Sequence, residues 1–96
     1  MNRLFVYGIF LGQDRRDEYG MSNPRYATVK GYITVGDYIV QAVKIPHENI
    51  ALSGLVVDVE PAYWDSLDAL ERGYDRIIVN TSNGQAYMYA ERGTND

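Results

Sequence analysis

The chain has 96 residues, 46% of them hydrophobic and 23% charged, with a formal net charge of −4 and no cysteine. That length suits one domain, 1–96, with 91–96 read as a flexible tail, and the missing thiols exclude disulfides, thiol catalysis and thiolate metal sites. Seven arginines and two lysines are scattered along the sequence, which leaves no basic stripe for a nucleic-acid backbone, and no apolar run approaches the length of a membrane span or a signal core, so a cytoplasmic location is expected.

Arg3 to Tyr7 reads as a first strand, apolar on both faces and therefore central in its sheet. Gly8 to about Arg25 loses the pattern, with Gly12, Gly20 and Pro24 punctuating a polar stretch, and is expected to be a long loop with at most one short helical turn. In this stretch the Asp14 to Glu18 cluster reads as solvated. Thr28 to Val35 alternates, and Gly36-Asp37 turns it into Tyr38 to Ile45 as a hairpin. Leu52 to Val59 is a further strand, with Leu55, Val57 and Val59 inward and Gly54 marking a bulge or a close backbone approach. Pro61 opens a helix predicted over Pro61 to Arg72, with Gly73 suited to the left-handed position after its end. Asp75 to Asn80 and Gln85 to Tyr89 form a last pair of strands across Asn83-Gly84, and the chain is expected to fray from Ala90 on. With one substantial helix, parallel crossovers are scarce. The expected fold is α+β, a small mixed, mostly antiparallel curled β-barrel with one main helix.

The helix carries the most chemically informative residue. Taking Tyr63 as zero and about 100° per residue, Leu70 falls at about 340°, Leu67 at about 40°, Glu71 at about 80° and Trp64 at about 100°, so Glu71 lies inside the apolar sector. Asp68, at about 140°, falls at the rim. A carboxylate between Leu67 and Trp64 loses hydration, and its pKa rises toward the range where a general acid/base works near neutral pH. The alternative is a solvated glutamate paired with Arg72 or Arg76.

The strand Leu4-Phe5-Val6-Tyr7-Gly8, the strand from Gly54 to Val59, the helix Trp64 to Glu71 with Tyr74 and Arg76 after it, and Gln85 to Tyr89 together resemble the gamma-glutamylcyclotransferase-like family, in particular its gamma-glutamylamine cyclotransferase type. The resemblance implies a small barrel with a helix packed beside it. It also implies release of 5-oxoproline from a γ-glutamyl amine or amino acid, with Glu71 as the acid/base and the backbone of Tyr7, Gly8, Ile9 and Phe10 lining the substrate pocket. Tyr74 and Arg76 would then clamp the substrate, and Tyr89 would lend a hydroxyl. Set against this, Tyr74 could instead pack on Leu67 and Leu70 while Arg76 neutralises an acid, and Asp68 reads as a structural hydrogen-bonding residue. Such a reaction is intramolecular and needs no cofactor or metal; His47 has no companion at ligand spacing.

The family commonly places threonine or serine after the tyrosine-glycine pair, where this chain has Ile9 and Phe10. The expected partner is a small molecule, with no nucleic acid and no membrane, and the sequence leaves the oligomeric state open. The alternative to catalysis is a relative that binds or sequesters a small polar ligand in the same pocket.

Overall fold

The computed structural model describes residues 1–36 and 41–92. Its elements in chain order are β1 (Arg3–Val6), a 3-10 turn (Gly8–Leu11), α1 (Gln13–Glu18), β2 (Met21–Lys30), β3 (Tyr32–Val35), β4 (Gln41–Lys44) and β5 (Ala51–Val59). A second 3-10 turn (Pro61–Tyr63), α2 (Trp64–Leu70), β6 (Tyr74–Thr81) and β7 (Gly84–Glu91) follow. The protein is a mixed α+β fold whose curled, mostly antiparallel sheet closes as a barrel in the order β1-β5-β2-β6-β7. β1 pairs antiparallel with β5 and parallel with β7, which completes the ring. β3 and β4 pair with each other as a separate ribbon.

Alternation along the strands builds two cores. Phe5, Ala27, Val29, Val56, Val79, Ala86, Met88 and Ala90 form one cluster with Tyr32 and Ala42 of the ribbon. Leu4 and Val6 point the other way, into a second cluster with Val57, Val59, Met21, Phe10, Tyr89 and Leu67 of α2. The continuous apolar run of β1 thus has a physical reason, since one face enters the barrel and the other lies under α2. Small residues keep the barrel narrow. Gly54 is the extreme case: a Cβ there would collide with the carbonyl oxygen of Val6 and stand 2.8 Å from the Phe5 ring. The close backbone approach expected at Gly54 is present.

Several boundaries differ from the sequence-based expectation. The polar stretch after Gly8 is not a long loop, because it holds a 3-10 turn, α1 and the first half of β2. α1 buries none of its residues, so it has no apolar stripe to reveal it. β2 runs through Pro24 by a register shift between Ser22 and Arg25, with Asn23 in the left-handed region at φ 54°. Asp58 clamps this irregularity, accepting from Arg25 at 3.1 Å and from Asn23 at 3.2 Å, and its pKa is lowered by the hydrogen bond from Arg25 and then that from Asn23.

Further along, Gly31, at φ 80°, divides the predicted Thr28 to Val35 strand in two. The predicted strand start at Tyr38, and the hairpin tip from Asp37, lie outside the described residues. The helix predicted over Pro61 to Arg72 is a 3-10 turn followed by a shorter α2, and Gly73 is not in the left-handed region. Finally, the expected fraying from Ala90 is overturned: Ala90 is fully buried in β7, which runs to Glu91, while 93–96 lie outside the described residues.

Candidate active site

β1 ends at Val6, and Gly8, at φ 73°, takes a left-handed conformation that glycine adopts without steric cost as the chain enters the 3-10 turn. Arg16 of α1 holds this turn from behind, its Nη1 donating to the carbonyls of Phe10 at 3.0 Å and Leu11 at 2.6 Å. Phe10 is buried beneath the turn, in edge contact with Tyr19 at 5.5 Å between ring centroids. The opposite wall comes from the end of α2. Leu67 is fully buried, and Trp64, Asp68 and Glu71 are half-buried, so the inward arc runs through positions 64, 67, 68 and 71. Glu71 lies near the middle of that arc and Asp68 belongs to it, whereas Leu70, expected inward, is exposed.

Between these walls is a cleft of about 150 Å³, lined by Leu4, Phe5, Val6, Tyr7, Gly8, Ile9, Phe10, Glu71, Tyr74 and Tyr89. It brings together Glu71, the Tyr7 to Phe10 segment, Tyr74 and Tyr89. Arg76 is not among the lining residues. Its guanidinium stacks between aromatic rings, 4.6 Å from the centroid of Trp64 and 4.9 Å from that of Tyr87, and pairs with Asp68 at 3.6 Å. Of the two readings of Arg76, the structure has the one in which it neutralises an acid, with two π faces beside it, and it does not bring Arg76 to the cleft wall.

Glu71 is fixed by its backbone and left free at its carboxyl. Its N–H donates to Leu67 at 2.9 Å and its carbonyl accepts from Tyr74 at 2.9 Å, so it forms the turn between α2 and β6. No side-chain hydrogen bond to Glu71 occurs among the described residues, and burial raises its pKa above the usual carboxylate value.

The cleft tyrosines divide by what their hydroxyls do. Tyr7 donates to the carbonyl of Tyr89 and accepts from the Ala42 N–H at 3.0 Å; burial, opposed in part by that N–H, pushes its pKa up to about 12, with the charge of Glu71 adding to the rise. Tyr89 donates to Asp68 at 2.7 Å, and burial followed by this hydrogen bond raises its pKa. Its hydroxyl is thus committed to Asp68. Tyr74 enters no side-chain hydrogen bond among the described residues and is the hydroxyl left available.

Sequence reasoning did not identify Arg16 or Tyr19, which shape the turn. Arg16 stood in a charge cluster that looked merely solvated, and its contact with carbonyls five and six residues earlier depends on the α1 geometry. Among the described residues no group of three or more histidine, aspartate or glutamate side chains could hold a metal ion, and no helix is long and apolar enough to cross a membrane.

The chain as a whole matches a known family. Residues 4–96 match the family model described as "Gamma-glutamyl cyclotransferase, AIG2-like", and the chain belongs to that family. No curated protein sequence matches it. Among solved structures, the chain is similar to the uncharacterised protein PH0828 of Pyrococcus horikoshii, with a TM-score of 0.79 and 22% identity, covering 95% of this chain and 78% of that one. It is also similar to At5g39720.1 of Arabidopsis thaliana, with a TM-score of 0.80 and 23% identity over 99% of this chain and 71% of that one. At3g28950.1, from the same plant, gives 0.78 and 20% over 99% and 64%. These likenesses concern the fold.

Proposed function

We propose that the protein is a cyclotransferase that releases 5-oxoproline from a γ-glutamyl amide, with Glu71 as general acid/base. The observation that carries this reading is a carboxyl with no hydrogen-bond partner among the described residues, raised in pKa by burial, facing a glycine-led turn across a small cleft. The substrate's α-ammonium gives a proton to the Glu71 carboxylate, and the free amine attacks the γ-carbonyl carbon to form the C–N bond of a five-membered ring. Glu71 returns the proton to the departing nitrogen as the amide C–N bond breaks. The second proton shed by the ring nitrogen ends on the released amine, so no water, oxidant or metal is consumed.

Positioning supplies much of the acceleration in such a reaction, because both reacting groups belong to one molecule and need only be folded together. Main-chain N–H groups of Gly8 and Ile9, which precede the first i→i+3 bond of the 3-10 turn, suit the developing oxyanion, and the Tyr74 hydroxyl is a further donor.

A panel of γ-glutamyl amides, γ-glutamyl amino acids and glutathione, assayed for 5-oxoproline, tests the proposal. Turnover by the wild type is expected, with a loss of about 10²-fold or more in Glu71→Gln at unchanged fold. Because the base must be ionised, kcat/KM should rise with pH through a value above 4.5, the ordinary value for glutamate.

The alternative reading is a non-catalytic relative that retains a small ligand. It is favoured by Ile9, which lines the cleft without the hydroxyl common at that place in the family. A small molecule held through purification, with no product from any substrate, would support it.

A further inference from the structure

We infer that the protein has a second binding site, for a small organic phosphate monoester, in the groove where β2, β6 and the β3–β4 ribbon meet. The groove has a volume of about 680 Å³ and shares no lining residue with the cleft that holds Glu71, so it stands apart from the chemistry proposed there. Its origin is topological. Among the described residues β2 pairs with β6 only at Val29↔Thr81. Beside this joint the Thr28 N–H donates to Ser82 Oγ and the Ser82 N–H to the Thr28 carbonyl, both at 2.9 Å. The chain then leaves β2 for the ribbon through Gly31, whose N–H donates to Ile50 and whose carbonyl accepts from Ile45, each at 2.8 Å. Toward Ile78 on β6 no described strand continues the pairing, and the groove opens there.

The chain's two lysines, Lys30 and Lys44, both line this groove. Neither side chain has a hydrogen bond or ion pair among the described residues, a condition shared by Arg72 alone of the seven arginines. Lys44 is matched with Tyr32 across the ribbon, which sets the two side chains on one face. Tyr32 packs its ring into the barrel core and is only 7% exposed, yet its hydroxyl has no hydrogen-bond partner among the described residues. Burial raises its pKa, so the hydroxyl keeps its proton and donates. A buried hydroxyl is ordinarily paired, and one left unpaired beside two free cations calls for an anionic acceptor.

A phosphate monoester carries a charge of about −1.5 to −2 near neutral pH and three acceptor oxygens, which suits two ammonium groups with the Tyr32 hydroxyl and the Asn80 amide as neutral donors. A single carboxylate would leave one lysine uncompensated. Glu48, the one acid on the lining, disfavours a ligand that is anionic throughout and accepts from hydroxyls on the organic part of the ester. The exposed side chain of Ile78 offers that part apolar surface.

Titration of the full chain with sn-glycerol 3-phosphate, inorganic phosphate and glycerol, followed by amide proton and nitrogen chemical shifts at constant ionic strength, tests the assignment. The ester is expected to give saturable shifts at Lys30, Tyr32, Lys44 and Asn80, and to bind about threefold or more tightly than inorganic phosphate. Glycerol should give none. Lys30→Gln combined with Lys44→Gln should weaken ester binding about tenfold or more, and Tyr32→Phe, which keeps the ring in the core, about threefold. Shifts that fail to saturate, that spread over the arginine-bearing surfaces, or that centre on Gly8 and Ile9 overturn the site. Unchanged affinity in the folded double variant overturns it as well. Equal affinity for the ester and inorganic phosphate assigns the groove to free phosphate and overturns the role given to Glu48 and Ile78.

Discussion

Glu71 gives both of its main-chain hydrogen-bonding groups to the turn after α2, while its carboxyl has no hydrogen-bond partner among the described residues. The linkage has a definite sign. A carboxyl whose pKa is raised by folding favours the folded state most below its unfolded value, and that contribution is lost as pH rises through the folded value. In Glu71→Gln the site no longer titrates. The variant should therefore gain stability relative to wild type as pH is raised from below 4.5 to neutral, and urea unfolding at the two ends of that range measures the gain. A variant that loses activity while gaining relative stability at neutral pH would mark Glu71 as a residue kept at some cost to the fold. Its inward placement was legible in the sequence because Trp64, Leu67 and Glu71 share one helical arc. That Arg76 neutralises an acid was one of the two readings open in the sequence; its particular partners were not legible, because Asp68 and Tyr87 lie on α2 and β7, and only the crossing of β6 brings them together.

Among the elements, α1 and the 3-10 turn Gly8–Leu11 act as a unit joined by the Arg16 hydrogen bonds. Arg16→Ala should cost about 1 kcal/mol or somewhat more, the usual scale for hydrogen bonds from a charged group. The loosening should be local. Hydrogen exchange at the Gly12 amide, which donates to Ile9 at 3.2 Å, is the measurement, and exchange is expected to quicken there while β5 amides change less. This pair of elements was hidden in the sequence because a short polar helix without a buried face leaves no periodic signal. β2 was shortened for a different reason: Asn23 and Pro24 look like loop residues, yet a bulge clamped by Asp58 lets the strand pass through them. The remaining strands, the β6–β7 turn at Asn83-Gly84 and the position of the main helix were legible, since their apolar alternation and turn residues agree with the tertiary fold.

At the scale of the whole molecule, barrel and helix share one core boundary at β1, so they are expected to unfold together. Trp64, the single tryptophan, is in contact range of Tyr87 at 5.4 Å and donates to Asn2 at 3.1 Å. Its fluorescence therefore reports the docking of α2. Under urea it should follow the same transition as far-UV circular dichroism, with an m-value of about 1 kcal/mol/M. Two separated midpoints would show that α2 leaves the barrel first.

The pairing of β1 bears on when the cleft can form. Leu4 is matched with Val57 on one side and Tyr87 on the other. A ribosome delivers β1 first among these elements and its second neighbour only after β2 to β6. Until β7 emerges, the strand that leads into the cleft has an open edge and the Tyr7 hydroxyl lacks the Tyr89 carbonyl it binds. The cleft is thus expected to stay incomplete until β7 has been made.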